Sequence, residues 1–211
     1  MIGSALRRRF GLLAGLAAAC ATCLLVLSPG VAGASDTTGG ACANDVSQPF
    51  LPWLDPGRYF LAPAGGFEAG AYGWALTGGA AVVGGNEPWH LAGAADSHAL
   101  SLPVGARATS PAMCIGLVDP TLRFFVRNTS LLGLGTLLVS ADVSAGGISV
   151  RAPIGLVEAG KAFAPSLPLP VLANLTAGLP LLGTGQVRLT FTAVTGSWQI
   201  DDLYVDPFKI S

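Results

Sequence analysis

The chain reads as an all-β protein, a sandwich or barrel of short strands, on three observations. Only 11% of its 211 residues are charged, and 29 glycines and 15 prolines punctuate it. That composition favours short strands and many turns over helices. Short apolar runs recur at intervals of roughly ten residues, separated by Gly, Asn and Asp. Beyond the N-terminal segment no stretch shows the apolar period of a helix.

Residues 1–34 have the layout of a secretory signal peptide. Arg7, Arg8 and Arg9 precede the uncharged apolar run Gly11–Leu27, Ser28-Pro-Gly30 breaks it, and Ala32-Gly-Ala34 offers a small-residue cleavage site. An uncleaved anchor is the alternative; the arginines also partly match a twin-arginine export signal. Ala17-Ala-Ala-Cys20 is a poor match to a lipoprotein site. Cleavage would leave 177 residues, one β-domain with no membrane span, secreted or held at the cell surface. It would also leave 8 basic against 12 acidic residues, a net charge of about −4 that disfavours nucleic acid as a partner. Cys20 and Cys23 would depart, so Cys42 and Cys114 are expected to form a disulfide. A zinc site is the weaker reading, because no His partners stand at ligand spacing. The bond would close a 72-residue loop, worth on the order of 4 kcal/mol in the chain-entropy model.

Residues 35–64 are expected to form an extended N-terminal strap, flexible over Ser35–Ala41. The strap is rich in Pro and carries Phe50, Trp53, Tyr59 and Phe60, either packed over the domain or, for Trp53, offered to a ligand. Residues 65–211 are expected to be the sandwich. Its candidate strands are Trp74–Leu76, Ala80–Val83, Trp89–Leu91, Ala99–Leu102 and Ser110–Gly116. In Thr121–Asn128, Leu122, Phe124 and Val126 share one face, and Arg123, Phe125 and Arg127 the other. Thr136–Val143 and Ile148–Ile154 read as a hairpin turned by Ser144–Gly147. Gly155–Leu182 is too broken by proline for a central strand, and reads as an edge strand and a long loop. Gly185–Val194 and Gly196–Val205 close the domain, and Asn128 and Asn174 begin formal glycosylation sequons.

The last strand holds two adjacent carboxylates, Asp201 and Asp202, among Trp198, Ile200, Leu203, Tyr204 and Val205. Strand neighbours point to opposite faces, so one of the two must face the apolar side. There it needs a partner, a hydrogen bond or a cation. Without a bulge Asp201 is the inward one, sharing its face with Leu203 and Val205. On that reading the two carboxylates do not cooperate in catalysis. Imidazole bases are limited to His90 and His98. In Asp96-Ser97-His98 the three triad residue types are adjacent, which does not let them orient one another. No Gly-x-Ser-x-Gly elbow or phosphate loop is present, and the expectation is a protein that is not an enzyme.

Four short motifs carry a family resemblance. Gly66-Phe-Glu68, Gly73-Trp-Ala-Leu76 and Leu100-Ser-Leu102, with the closing Trp198-Gln-Ile-Asp-Asp-Leu203, resemble carbohydrate-binding modules with a galactose-binding-like jelly roll. The whole pattern, with Phe50-Leu-Pro-Trp53, Arg123-Phe-Phe125 and Tyr204-Val-Asp-Pro207, also resembles an uncharacterised group of exported bacterial proteins. The module resemblance implies a jelly-roll β-sandwich that binds a polysaccharide or cell-surface glycan without catalysis. It also implies a structural calcium held by Glu68 with Asp201 or Asp202; the alternative is that these acids cap turns or pair with Arg123 or Arg127. Ligand contacts would come from Trp89, Asn86, Phe125 and Arg127, with Tyr72, Glu87 and His90 as further candidates. Gly84–His90 also reads as a turn leading into a strand that buries Trp89. The competing expectation is a structural or protein-interaction component of a cell surface or spore coat, using the apolar Pro165–Leu182 segment.

Overall fold

The computed structural model describes residue 42 and residues 44–116, 120–171 and 184–206. The export segment, residues 35–41, the Asn174 sequon and most of Pro165–Leu182 lie outside the described residues. Among the described residues a single 3-10 turn, Leu51–Trp53, precedes thirteen strands. These are β1 (Phe60–Leu61), β2 (Ala75–Thr77), β3 (Ala81–Gly84), β4 (His98–Leu102), β5 (Arg107–Thr109), β6 (Met113–Gly116) and β7 (Thr121–Asn128). There follow β8 (Thr136–Ala145), β9 (Ile148–Val157), β10 (Ala164–Pro165), β11 (Leu169–Pro170), β12 (Thr184–Thr195) and β13 (Trp198–Asp206).

The strands form two antiparallel sheets. One has the order β10-β7-β13-β4-β3, with β1 also beside β13 and β11 also beside β7. The other has the order β2-β5-β12-β8-β9, with β6 also beside β12. The chain passes repeatedly from one sheet to the other, as between β4 and β5, β6 and β7, and β12 and β13. This is the jelly-roll β-sandwich expected from the sequence.

Local chemistry accounts for most elements. The β8–β9 hairpin turns on Gly146-Gly147, both at positive φ (57° and 79°), as a two-residue turn requires. The proline-rich stretch supplies β10 and β11, two short pieces on the outer edge of β7, where a missing N–H does no harm. At the crossing from β12 to β13, Gly196 has φ 73°, and a Cβ there would sit 2.7 Å from the Leu134 carbonyl. Trp89–Leu91 is not a strand, contrary to the sequence reading, because its backbone N–H groups turn back to a side chain of the same loop.

The main core lies between the sheets. Along β12, Val187, Leu189, Phe191 and Ala193 are buried, while Gln186 and Arg188 face out. Opposite them stand Leu122, Phe124 and Val126 of β7 with Trp198 and Ile200 of β13. A second apolar cluster joins Ala99, Phe125 and Tyr204 of the seven-stranded sheet to Phe50, Tyr59 and Phe163, with Trp53 and Leu91 packed against it. The segment before β1 therefore covers the other face of that sheet. Asp55 fastens it through Arg123, whose Nη1 donates to Oδ2 at 2.6 Å and whose guanidinium lies 4.4 Å from the Phe50 ring centre. Cys42 is bonded to Cys114 of β6, 72 residues away, with the Cα atoms 5.4 Å apart.

The Cys42→Ser, Cys114→Ser double variant should lose on the order of 4 kcal/mol in urea unfolding. An unchanged midpoint would mean that the bond does not constrain the unfolded chain.

Candidate functional site

β13 runs beside β7 along most of its length. Its other edge is shared, pairing with β4 up to Ile200 and with β1 from Tyr204. At the junction, Asp201 stands opposite Phe125 and Tyr204 opposite Arg123, so Asp202 and Leu203 together face one residue of β7. This is a β-bulge, with Asp202 in the left-handed region (φ 47°). The inward series Trp198, Ile200 consequently resumes at Leu203 and Val205, and Tyr204 joins the second cluster.

The bulge corrects the sequence reading of the Asp pair. Simple alternation puts one carboxylate on each face, yet both Asp201 and Asp202 are fully buried. Asp201 is committed to the backbone, accepting the Asp202 N–H on Oδ1 (2.8 Å) and the Glu87 N–H on Oδ2 (3.2 Å). Asp202 has both oxygens buried with no hydrogen-bond partner. Gly66 makes room for it, since a Cβ at that position would lie 3.0 Å from Asp202 Oδ1.

Two acidic residues of the β3–β4 loop meet Asp202. Glu87 is fully buried and Asp96 is 4% exposed. One carboxylate oxygen from each of Glu87, Asp96 and Asp202 lies within 4.8 Å of the others. Both Asp96 oxygens also lack a hydrogen-bond partner. Glu87 organises its own loop: Oε2 accepts the Trp89 N–H in a short bond, and Oε1 accepts the Leu91 N–H at 2.6 Å. The His90 Nδ1 lies 3.0 Å from both Asn86 Nδ2 and the Asp96 carbonyl oxygen.

Glu68 stands at the margin of this cluster. Its carboxylate accepts the N–H groups of Ser97 and His98 at 2.8 and 2.7 Å and caps the start of β4. Ser97 Oγ donates to Glu68 Oε2 at 3.0 Å, and His98 Nδ1 lies 3.1 Å from the same oxygen. Ser97 Oγ and Glu68 both address Nδ1 of His98, so this is not a relay in which the ring carries a proton from hydroxyl to carboxylate.

Burial and mutual repulsion set the protonation of the cluster. Desolvation, then the neighbouring Asp202 charge, pushes Asp201 up to about 9. Desolvation, with Asp96 and Glu87 close by, pushes Asp202 up to about 8. Asp96 rises to about 6 through burial and the carboxylates of Glu68 and Glu87. Burial also pushes Glu68 upward, but the donors of Ser97 and His98 outweigh it and hold that carboxyl down to about 2. No lysine or arginine is among the partners of these groups within the described residues.

Four buried carboxylate oxygens without a hydrogen bond of good geometry are chemically incomplete unless they hold protons or a metal ion. The donors are all oxygen and carry up to three charges, which suits a hard cation such as Ca²⁺ and not zinc. Of the residues expected to hold calcium, only Asp202 belongs to the three-carboxylate set. Glu87 and Asp96 complete that set, while Glu68 and Asp201 accept backbone N–H groups beside it.

The expected ligand residues fare unequally. Phe125 is fully buried in the second cluster, stacked with Phe50 at 5.7 Å, so it offers no face to a ligand and that expectation is corrected. Arg127 donates from Nε to Gln199 Oε1 (2.7 Å) and lies over the Phe163 ring. Asn86 donates to the Glu87 carbonyl oxygen at 2.7 Å and serves the loop fold. Trp89 is 44% exposed. It meets half-buried Trp53 edge-on at 5.0 Å and Phe125 at 5.3 Å. Tyr72 is exposed at 85%.

No protein-family model matches the chain, and no curated protein matches it in sequence. Among solved structures, the fold is similar to carbohydrate-binding modules. One is the C-terminal family 22 module of Clostridium thermocellum Xyn10B, at 15% identity and TM-score 0.45, covering 71% of this chain and 98% of that one. Another is TmCBM61, solved with β-1,4-galactotriose, at 16% identity and TM-score 0.40, covering 69% and 96%. A third is the enzymatically active domain of tailspike protein 4 from bacteriophage CBA120, at 23% identity and TM-score 0.44. That match covers 68% of this chain, which spans about one-fifth (21%) of the tailspike's length. At these identities no residue role passes from any of them to this chain.

The raised carboxyls fix the sign of a pH dependence. A fold that binds protons more tightly than the unfolded chain loses stability as pH rises toward the folded values. Chelator-treated protein should therefore show a urea midpoint that falls between about pH 5 and pH 9, the window spanned by Asp96, Asp202 and Asp201. Glu68 acts in the opposite sense but only at more acid pH. A midpoint that climbs across that window would contradict the cluster's burial.

Proposed function

We propose that this protein is an exported carbohydrate-binding module without catalysis, stabilised by a calcium ion that Glu87, Asp96 and Asp202 hold. The observation that carries the binding reading is the Trp53–Trp89 pair. A half-exposed indole, braced edge-on by a second indole and set on a loop with Asn86 and His90, presents the rigid apolar face on which sugar C–H groups stack. The calcium would draw three buried carboxylates together and tie the β3–β4 loop to the bulge of the last strand, a structural task and not a catalytic one. The disulfide supports the export reading, since such bonds persist in oxidising compartments.

One observation favours the alternative of a protein-interaction component. Leu131, Leu132 and Leu134 in the β7–β8 loop are exposed at 87%, 78% and 71%. A glycan array with the purified protein decides between the readings. The proposal expects binding to at least one polysaccharide, weakened at least tenfold in Trp89→Ala with little change in melting temperature. No glycan binding, together with oligomers that dissociate on dilution and are lost in Leu132→Ser, would favour the alternative.

Calcium should raise the melting temperature of chelator-treated protein, and the rise should vanish in Asp202→Asn. An equal rise in the variant would place the ion elsewhere.

A further inference from the structure

We propose that the cation site and the Trp53–Trp89 pair form one coupled unit, in which a bound divalent cation sets the loop that presents Trp89. The aromatic face is then fully formed only in the cation-bound protein. Its use in stacking sugars rests on the carbohydrate-binding reading above; the coupling itself does not.

The loop between β3 and β4 is held by side chains and not by sheet pairing. Residues 85–97 contain no strand or helix, so their path depends on a few side-chain anchors. Glu87 supplies most of them. Its N–H reaches Asp201, and its two carboxylate oxygens receive the N–H groups of Trp89 and Leu91. The indole of Trp89 therefore follows the Glu87 carboxylate, two residues away. That same carboxylate is one of three whose oxygens converge within 4.8 Å.

Asp96 anchors the other end of the loop. Its N–H donates to the Gly93 carbonyl at 2.9 Å, and its carbonyl oxygen lies 3.0 Å from His90 Nδ1. Its carboxylate is 4% exposed at residue level and has no hydrogen-bond partner; the fully buried Asp202 carboxylate is in the same condition. Both ends of the loop thus carry an acid that faces Asp202. Without a cation or a shared proton to bridge them the three carboxylates repel, and the segment freest to separate them is the loop, which would move away from β13. A cation reverses the sign of that interaction and closes the loop onto the bulge.

Closure has an aromatic consequence. Trp89 lies against Trp53 and Phe125 only while the loop is seated, with ring centres at 5.0 and 5.3 Å. Trp53 comes from the segment before β1 and Phe125 from β7, and neither belongs to the loop. Trp74 and Trp198 are buried in the main core, so they do not report on loop closure.

The test is a calcium titration of chelator-treated full-length protein, followed by tryptophan emission and by calorimetry. The proposal expects a blue shift that saturates with the calorimetric binding event. In Trp89→Phe most of the shift should be lost while calcium still binds; in Glu87→Gln and Asp202→Asn both signals should weaken together. Calcium binding with no change in emission would overturn the coupling, as would a full shift retained in Trp89→Phe or no binding at all. If emission follows calcium but no glycan binds, the carbohydrate-binding reading fails and the coupling stands.

Discussion

A charged carboxylate taken out of water costs several kcal/mol unless something replaces its hydration. Glu87, Asp201 and Asp202 are fully buried, and Asp96 very nearly so, around one break in the last strand. The surrounding structure can be understood as the answer to that cost. Asp201 is satisfied by two backbone N–H groups, Glu87 by two others, and Glu68 by the start of β4. Asp96 lies near the Asn86 side chain and Asp202 near the Ala92 backbone, but neither carboxylate has a hydrogen bond of good geometry. They leave a site with negative charge, oxygen donors and no internal cation among their partners.

The bulge is what makes this arrangement compatible with a sandwich. It lets β13 keep Trp198, Ile200, Leu203 and Val205 in the core while two consecutive acids remain buried. It also marks where β4 gives way to β1 on the shared edge, leaving room for Gly65 and Gly66 to approach. Leu203 N–H donates to the Gly65 carbonyl, and Ala62 N–H to that of Leu203. The first segment of the domain, the β3–β4 loop and the last strand thus meet at a single point. On the face of that sheet turned away from the main core, Arg123, Asp55 and the aromatic cluster around Phe125 hold the N-terminal segment in place, and Trp89 and Leu91 of the loop pack against the same cluster.

The sandwich was legible because its signals are local. Alternation in β7 and β12, a Gly-Gly turn and proline at a sheet edge each act within a few residues. The carboxylate cluster was only half legible. Asp201-Asp202 stood out as two charges among β-formers, and the need to satisfy an inward acid pointed to a cation. Which acids would meet was hidden, because a bulge breaks the period of two on which a face assignment rests. Asp202 in a left-handed conformation gives no sequence cue comparable to glycine. Asp96 was masked by its neighbours Ser97 and His98, which suggest a triad, and Glu87 by its place beside Asn86 and Trp89. A buried acid followed by an N–H-rich turn was the available clue. Phe125 was misread because its face of β7 is covered by a segment distant in sequence, which no pattern within β7 can reveal.

The central claim is that the acids of the bulge and the β3–β4 loop are a cation site. A crystal structure of the protein grown with calcium tests it most directly. The account predicts one ion with oxygens of Glu87, Asp96 and Asp202 at about 2.3–2.6 Å. An ion seated between Glu68 and Asp201, or a cluster that stays metal-free with its carboxyls sharing protons at neutral pH, would contradict it.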